Sequence, residues 1–192
     1  MVFTNGIATN PTVTDLGDFG GKLKTPRSIE IVSEGGASYV FVGSSADDKL
    51  YRISFGSSLT NSVVSGDAVE VLNSGSGIDS PMGLDMIKDC DVWYGLLSSR
   101  QNSQLYRLVF SSGLGSAPTA ELLGTVGVAP TDVSIKREGG RYYGFVGSSG
   151  GSNLYRVDFG AEITNASPEI VDLGDFGLLE NGFGFDLGVS ST

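Results

Sequence analysis

The chain has 192 residues, with 12 basic side chains against 22 acidic ones and no histidine, for a formal net charge of −10. That balance argues against nucleic acid or an anionic membrane surface as a partner. The missing histidine removes Ser-His-Asp triads, Cys-His pairs and histidine zinc sites together, and the single cysteine, Cys90, leaves no intrachain disulfide to form.

No apolar run reaches the roughly 18 residues that a membrane-spanning helix needs. The first six residues carry neither the basic nor the apolar part of a secretory signal. The 29 glycines, with Ser, Thr and Asn crowded between short apolar runs, predict an all-β chain with many turns.

Those runs repeat. Leu-Tyr-Arg stands at Leu50-Tyr51-Arg52, Leu105-Tyr106-Arg107 and Leu154-Tyr155-Arg156, 55 and then 49 residues apart. Pro26, Pro81 and Pro130 keep the same spacing, and Leu16, Leu72, Leu123 and Leu173 precede or follow them in phase. A period near 50 is that of stacked supersecondary units. In chain order, a fourth-type strand is expected at residues 12–16, running into the first copy of Asp-Leu-Gly-Asp-Phe-Gly (15–20; the second is 172–177). After each proline comes a first strand, at 28–32, 83–87 and 132–135. Gly35-Gly36 and Gly139-Gly140 supply the positive φ of tight hairpins, and Cys90 takes the corresponding place in the middle unit. Second strands follow at 39–42, 94–97 and 143–146, then polar loops at 43–49, 98–104 and 147–153. Third strands carry Leu-Tyr-Arg and alternate apolar with polar residues. A fourth strand, such as 120–123, closes each unit.

Four antiparallel strands about every 50 residues predict a β-propeller-type array of blades, three complete and a fourth partial, in a single domain with repeats near 4–59, 60–114, 115–163 and 164–192. A β-solenoid or a sandwich of duplicated hairpins is the alternative. The partial blade rests on a first strand at 183–187, with Val2 and Phe3 as a remnant of a third. Closure as a small ring, completion by other copies, and membership in a longer array all remain open at this point.

The candidate chemistry is sparse. Glu30, Asp85 and Asp186 align on the first strands, where Ser134 breaks the series. If they face a central channel they form an oxygen-ligand site for Ca²⁺ or Mg²⁺; no other cofactor is indicated, and ordinary channel-lining or interblade roles compete. Asp15, Asp18, Asp172 and Asp175 read as turn residues. Arg52, Arg107 and Arg156 recur once per unit and read as strand cross-links, with Tyr51, Tyr106 and Tyr155 as packing aromatics. The variable hairpin loops offer Asp47, Asp48, Arg100, Asn102 and Asn153 as binding residues on a rigid scaffold. Neighbouring Asp89 and Asp91 oppose activation of Cys90, and Asn165-Ala166-Ser167 is a lone glycosylation sequon.

The wording of the repeat, in Thr60-Asn61, Pro81, Trp93-Tyr94-Gly95 and residues 154–160, resembles the propeller repeats of secreted and surface bacterial proteins, and more broadly the NHL and SMP-30 type. The resemblance covers nearly the whole chain. It implies an extracellular or cell-surface structural or binding module, noncatalytic, whose partner is itself or a surface protein or glycan. Two other functions stand beside it: a metal-dependent hydrolase or lactonase with a channel cation, and a virion or filament subunit.

Overall fold

The computed structural model describes residues 12–176. Twelve strands form three four-stranded antiparallel sheets, each built from consecutive strands in chain order. The first blade holds β1 (Pro26–Glu34), β2 (Ala37–Ser44), β3 (Lys49–Gly56) and β4 (Ala68–Leu72). The second holds β5 (Pro81–Asp89), β6 (Val92–Ser99), β7 (Gln104–Phe110) and β8 (Thr119–Thr125). The third holds β9 (Pro130–Glu138), β10 (Arg141–Ser148), β11 (Asn153–Gly160) and β12 (Glu169–Asp172). The architecture is all-β, an array of propeller-type blades packed face to face.

Local chemistry sets each blade. The first hairpin of blades one and three turns on glycine pairs, with φ +59° and +80° at Gly35 and Gly36 and +56° and +78° at Gly139 and Gly140. Two positive values in succession match the strand twist, which is why glycine stands there. Cys90 holds φ +53° in the equivalent turn of blade two, so the correspondence read from the repeat is real and costs that turn some strain.

A sheet buried on both faces needs apolar residues on both, and the blades supply them to each other. Between blades one and two, Phe41, Leu50, Leu84, Leu108, Phe110 and Leu114 belong to one core. The rings of Phe41 and Phe110 meet edge to face, 5.2 Å between centroids. Between blades two and three, Leu96, Leu105, Val133, Val146, Val157 and Ile163 form the next. A third cluster lies on the opposite face of blade one, where Phe19 covers Val40, Val42, Ile53 and Phe55. Each of the first two layers also receives an apolar residue from the linker between its blades, Ile78 in one and Val126 in the other. Phe19 plays that linker part on blade one.

The first strands of consecutive blades lie against one another, β1 on β5 and β5 on β9, as inner strands of a propeller must. Gly83 of β5 comes so near β9 that a Cβ there would stand 2.5 Å from the Thr131 carbonyl oxygen and 2.7 Å from Asp132 Cα.

Two expectations change. Residues 13–18 are not a fourth strand; Thr12 makes only an isolated bridge. Asp15 Oδ1 accepts from the Gly17 amide at 2.8 Å and Gly17 turns the chain with φ +75°, so the acidic turn wins over the apolar pattern. The loops after the second strands are also shorter than read, since Ser44, Ser99 and Ser148 end strands and are buried. The strand at 183–187 and the Val2-Phe3 remnant lie outside the described residues.

Candidate functional site

The hairpin loops at 45–48, 100–103 and 149–152 are built alike. Each folds back onto the residues that precede its blade's first strand. The Ser45, Arg100 and Ser149 amides donate to the Thr25, Ser80 and Ala129 carbonyls at 3.1, 3.0 and 3.1 Å. Thr25, Ser80 and Ala129 sit at φ +54°, +57° and +52°, as do Asp48, Ser103 and Ser152 at +57°, +58° and +56°. Such values are costly for residues with a Cβ and persist only where the surroundings fix them.

The buried serines do the fixing. Ser44 Oγ accepts from the Lys24 amide at 2.8 Å and donates to the Lys24 carbonyl at 2.9 Å. Ser99 treats Asp79 in the same way, at 2.8 and 3.0 Å, and Ser148 treats Val128, at 3.1 and 2.5 Å. Assigned by sequence to exposed loops, these hydroxyls are structural; their strict phase in the repeat was the available signal.

On this frame Asp47 and Asn102 occupy equivalent places, with Gly151 in the third blade. Asp47 Oδ1 and Asn102 Oδ1 are both buried without a donor. Asn102 is held by its Nδ2, which donates to the Gly77 carbonyl at 2.8 Å, beside the Tyr106 hydroxyl that donates to the same oxygen at 2.7 Å. Asp48 Oδ1 accepts from the Ser80 amide at 2.8 Å, which joins the loop of blade one to the start of blade two. Asn153 Nδ2 donates to Asp172 Oδ2 at 2.7 Å, so its amide is committed within its own blade. Arg100 is half-buried at the turn. The structure thus brings Asp47, Asp48, Arg100 and Asn102 to one edge of the first two blades, offering acceptor oxygens and a cation.

The first-strand acids part company. Asp85 Oδ2 accepts from Ser134 Oγ at 3.1 Å and the Ile135 amide at 2.7 Å, and its Oδ1 from the Met86 amide at 2.8 Å. Its carboxylate ties blade two to blade three, and Ser134, the break in the acidic series, is one of its donors. Glu30 stands opposite Phe41 on β1, half-buried. Asp186 lies outside the described residues. Among the described residues no three acidic or cysteine groups converge in a way that would hold a metal ion.

The arginines cross between blades. Arg52 Nη1 donates to the Leu114 carbonyl of blade two at 2.9 Å. Arg107, 5% exposed, donates from Nη1 to the Ile163 and Asn165 carbonyls of blade three at 2.6 and 2.7 Å. Its Nε and Nη2 meet Glu121 Oε2 at 2.8 and 2.5 Å. The register explains a difference within the series: Glu121 faces Arg107, whereas Val69 faces Arg52 and Val171 faces Arg156. Accordingly Arg52 Nε and Arg156 Nε are buried without an acceptor. Glu34 completes the first junction, accepting from Trp93 Nε1 at 3.1 Å and from the Leu114 amide at 2.8 Å.

The tyrosines of the repeat, Tyr51, Tyr106 and Tyr155, have hydroxyl pKa values raised chiefly by burial, as packing residues should. The Asp-Leu-Gly openings of the two copies adopt one turn: Gly174 N donates to Asp172 Oδ1 at 2.8 Å, as Gly17 does to Asp15. That bond, with Asn153 and Tyr155 adding to it, holds the Asp172 carboxyl below its ordinary range. Asn165 of the sequon braces its own loop, donating to the Phe159 carbonyl at 3.1 Å and accepting from the Ser167 amide at 3.0 Å.

No protein-family model and no curated protein matches the sequence. Eleven chains of solved structures match. One is the GH43_1 enzyme from Xanthomonas citri, crystallised with xylose: TM-score 0.44 and 13% identity, over 81% of this chain and 53% of that one. The chain therefore spans about half the length of that enzyme. At this distance no residue role carries across.

Proposed function

We propose that this chain is a noncatalytic structural and binding module of an extracellular or cell-surface assembly, with the hairpin loops of blades one and two as its ligand-facing edge. The observation that carries the reading is where the reactive groups go. Asp85, Glu34, Arg52 and Arg107 are spent on junctions between blades, whereas Asp47, Asp48, Arg100 and Asn102 are half-exposed together on the loop edge. Carboxylate, guanidinium and amide groups on a braced loop suit hydroxyl or amide partners, so a glycan or a polar protein surface is the matching ligand class.

A glycan array probed with the purified chain tests this, together with calcium and magnesium titrations and a panel of chromogenic glycosides and lactones. The expected result is glycan or protein capture that Asp47→Ala and Asn102→Ala each weaken, with no turnover. Turnover abolished by Asp85→Asn, or a divalent-ion affinity lost in the Glu30→Gln variant, would replace the reading with that of a metal-dependent hydrolase.

A further inference from the structure

Each junction between blades has two sides. The donating side presents an arginine from the third strand, an apolar residue from the second strand, and the leucine that opens the Leu-Tyr-Arg run. The accepting side presents a loop after the third strand, whose apolar residue joins the core between the blades while its carbonyl takes the guanidinium. At the first junction these are Arg52, Phe41 and Leu50 against Leu114; at the second they are Arg107, Leu96 and Leu105 against Ile163. Leu114 and Ile163 are 0% and 1% exposed as a result.

Among the described residues, one side of each kind is left without its counterpart. On blade three, the Arg156 guanidinium has no carbonyl acceptor among the described residues, whereas Arg52 and Arg107 each have one, and Phe145 and Leu154, which correspond to Phe41 and Leu50, are only half-buried. On blade one, Leu59 stands where Leu114 and Ile163 stand, in the same position after the third strand, yet is 48% exposed. No described arginine donates to its carbonyl. Ile29, Ile31 and Val64 are exposed with it. The linker residue of this side is already seated, since Phe19 packs on blade one as Ile78 and Val126 pack in the two complete junctions. Its counterpart after blade three, Phe176, reaches the same left-handed φ, +52° against +56°, and is 61% exposed. Two copies of one linker, one seated and one not, are what two halves of a single junction require.

We infer that the face of blade three bearing Phe145, Leu154 and Arg156 docks on the Leu59 face of blade one of a second copy of this chain, head to tail, reproducing the junction that the chain already makes twice. This extends the structural-module reading to a specific partner. The contact is heterologous, so repetition closes a ring or extends a filament according to the rotation per copy. Carbonyl capture by a half-buried arginine gives it register, and the apolar residues on both sides give it area.

Sedimentation velocity over a wide concentration range tests the inference, with far-UV circular dichroism confirming the fold of each variant. The wild-type chain should associate as concentration rises. Arg156→Ala and Leu59→Asp should each weaken association by at least about tenfold, and Arg156→Lys, a milder change, should do so in part. A mixture of the Arg156→Ala and Leu59→Asp chains should form pairs that do not grow, because each mixed pair retains one intact junction. A wild-type chain that stays monomeric at every concentration would overturn the inference, as would a mixture that stays monomeric, which indicates a symmetric contact instead. Neither result touches the glycan array and turnover panel that test the module reading.

Discussion

Gly83→Ala isolates the packing of inner strands. The glycine has an ordinary strand conformation, so an added methyl introduces no backbone strain of its own. Its neighbours decide the outcome: the Cβ would lie 2.5 Å from the Thr131 oxygen, 2.7 Å from Asp132 Cα and 2.8 Å from the Val133 nitrogen. All three are backbone atoms of β9, which is hydrogen-bonded to β10 along its length and to Asp85 through Ile135. No side chain can swing away, so relief requires the third blade to move by about an ångström, the order of the overlap with an ordinary contact near 3.5 Å. Overpacking of this kind costs about 1–3 kcal/mol. We expect the upper end, about 3 kcal/mol, because the shift also stretches the Ser98 bridge, whose Oγ accepts from the Gly83 amide at 2.9 Å and donates to the Thr131 oxygen at 2.5 Å. For a chain of this size that lowers the thermal midpoint by about 6–12 °C. Gly66→Ala, with nothing within 4 Å of the added methyl and no positive φ, is the control and should shift it by less than about 1 kcal/mol equivalent. Urea unfolding of the two variants measures both effects. A Gly83→Ala chain within about 0.5 kcal/mol of wild type would refute the claim that consecutive inner strands are in backbone contact.

Arg107→Ala leaves the Ile163 and Asn165 carbonyls without their donor, at about 1–3 kcal/mol per stranded acceptor. Equilibrium unfolding should show a loss of about 3 kcal/mol, against about 1 kcal/mol for Arg52→Ala, which gives up a single carbonyl bond. Cys90→Gly should stabilise by about 1 kcal/mol, read as a raised denaturation midpoint, because glycine accepts φ +53° without the steric cost a side chain bears. Acid should weaken the third blade through Asp158. The Arg141 guanidinium, at 2.8 and 2.9 Å, and then the Gly160 amide hold its carboxyl below the ordinary 3.8. A depressed carboxyl stabilises fully above its unfolded pKa and gives that stability up as pH falls through its folded value. Denaturation midpoints measured downward from about pH 6 should therefore fall less steeply below about pH 4 in Asp158→Asn than in wild type.

The fold was legible because its signals are periodic. Prolines, hairpin glycines and Leu-Tyr-Arg recur in phase, and each unit's strands alternate as a sheet must. Cys90 at a glycine's place was readable for the same reason, and the structure puts it at the same positive φ. The candidate site was less legible, since a repeat shows which positions correspond but not what faces them. Asp85 aligns with Glu30, yet its environment is set by Ser134 and Ile135 of another blade. Asp47 and Asn102 were legible as loop residues; that each buries an oxygen without a donor depends on the loop's return to the residues before the first strand. The serines at 44, 99 and 148 failed for an instructive reason. A hydroxyl that bonds one residue's amide and carbonyl at once satisfies both buried groups, whereas composition counts serine as a mark of exposure.

A pair of positions in the first two blades shows what the repeat preserves. Position 28 of blade one is serine and position 43 is glycine; the equivalents in blade two, 83 and 98, are glycine and serine. In blade one Ser28 Oγ accepts from the Gly43 amide at 3.1 Å, and in blade two Ser98 Oγ accepts from the Gly83 amide at 2.9 Å. The hydroxyl has changed strands while bonding the partner strand's amide in both. Each glycine is then the only residue that fits, since the space its side chain would need is filled: by Ser28 and Pro81 around Gly43, and by β9 around Gly83. What these two blades share is therefore the satisfaction of a buried amide at a close blade contact, with residue identity free to exchange across the pair. Residue-by-residue alignment of the blades scores these two positions as divergent; the double exchange Ser28→Gly with Gly43→Ser should be tolerated better than Gly43→Ser alone, which puts two hydroxymethyl groups where one fits.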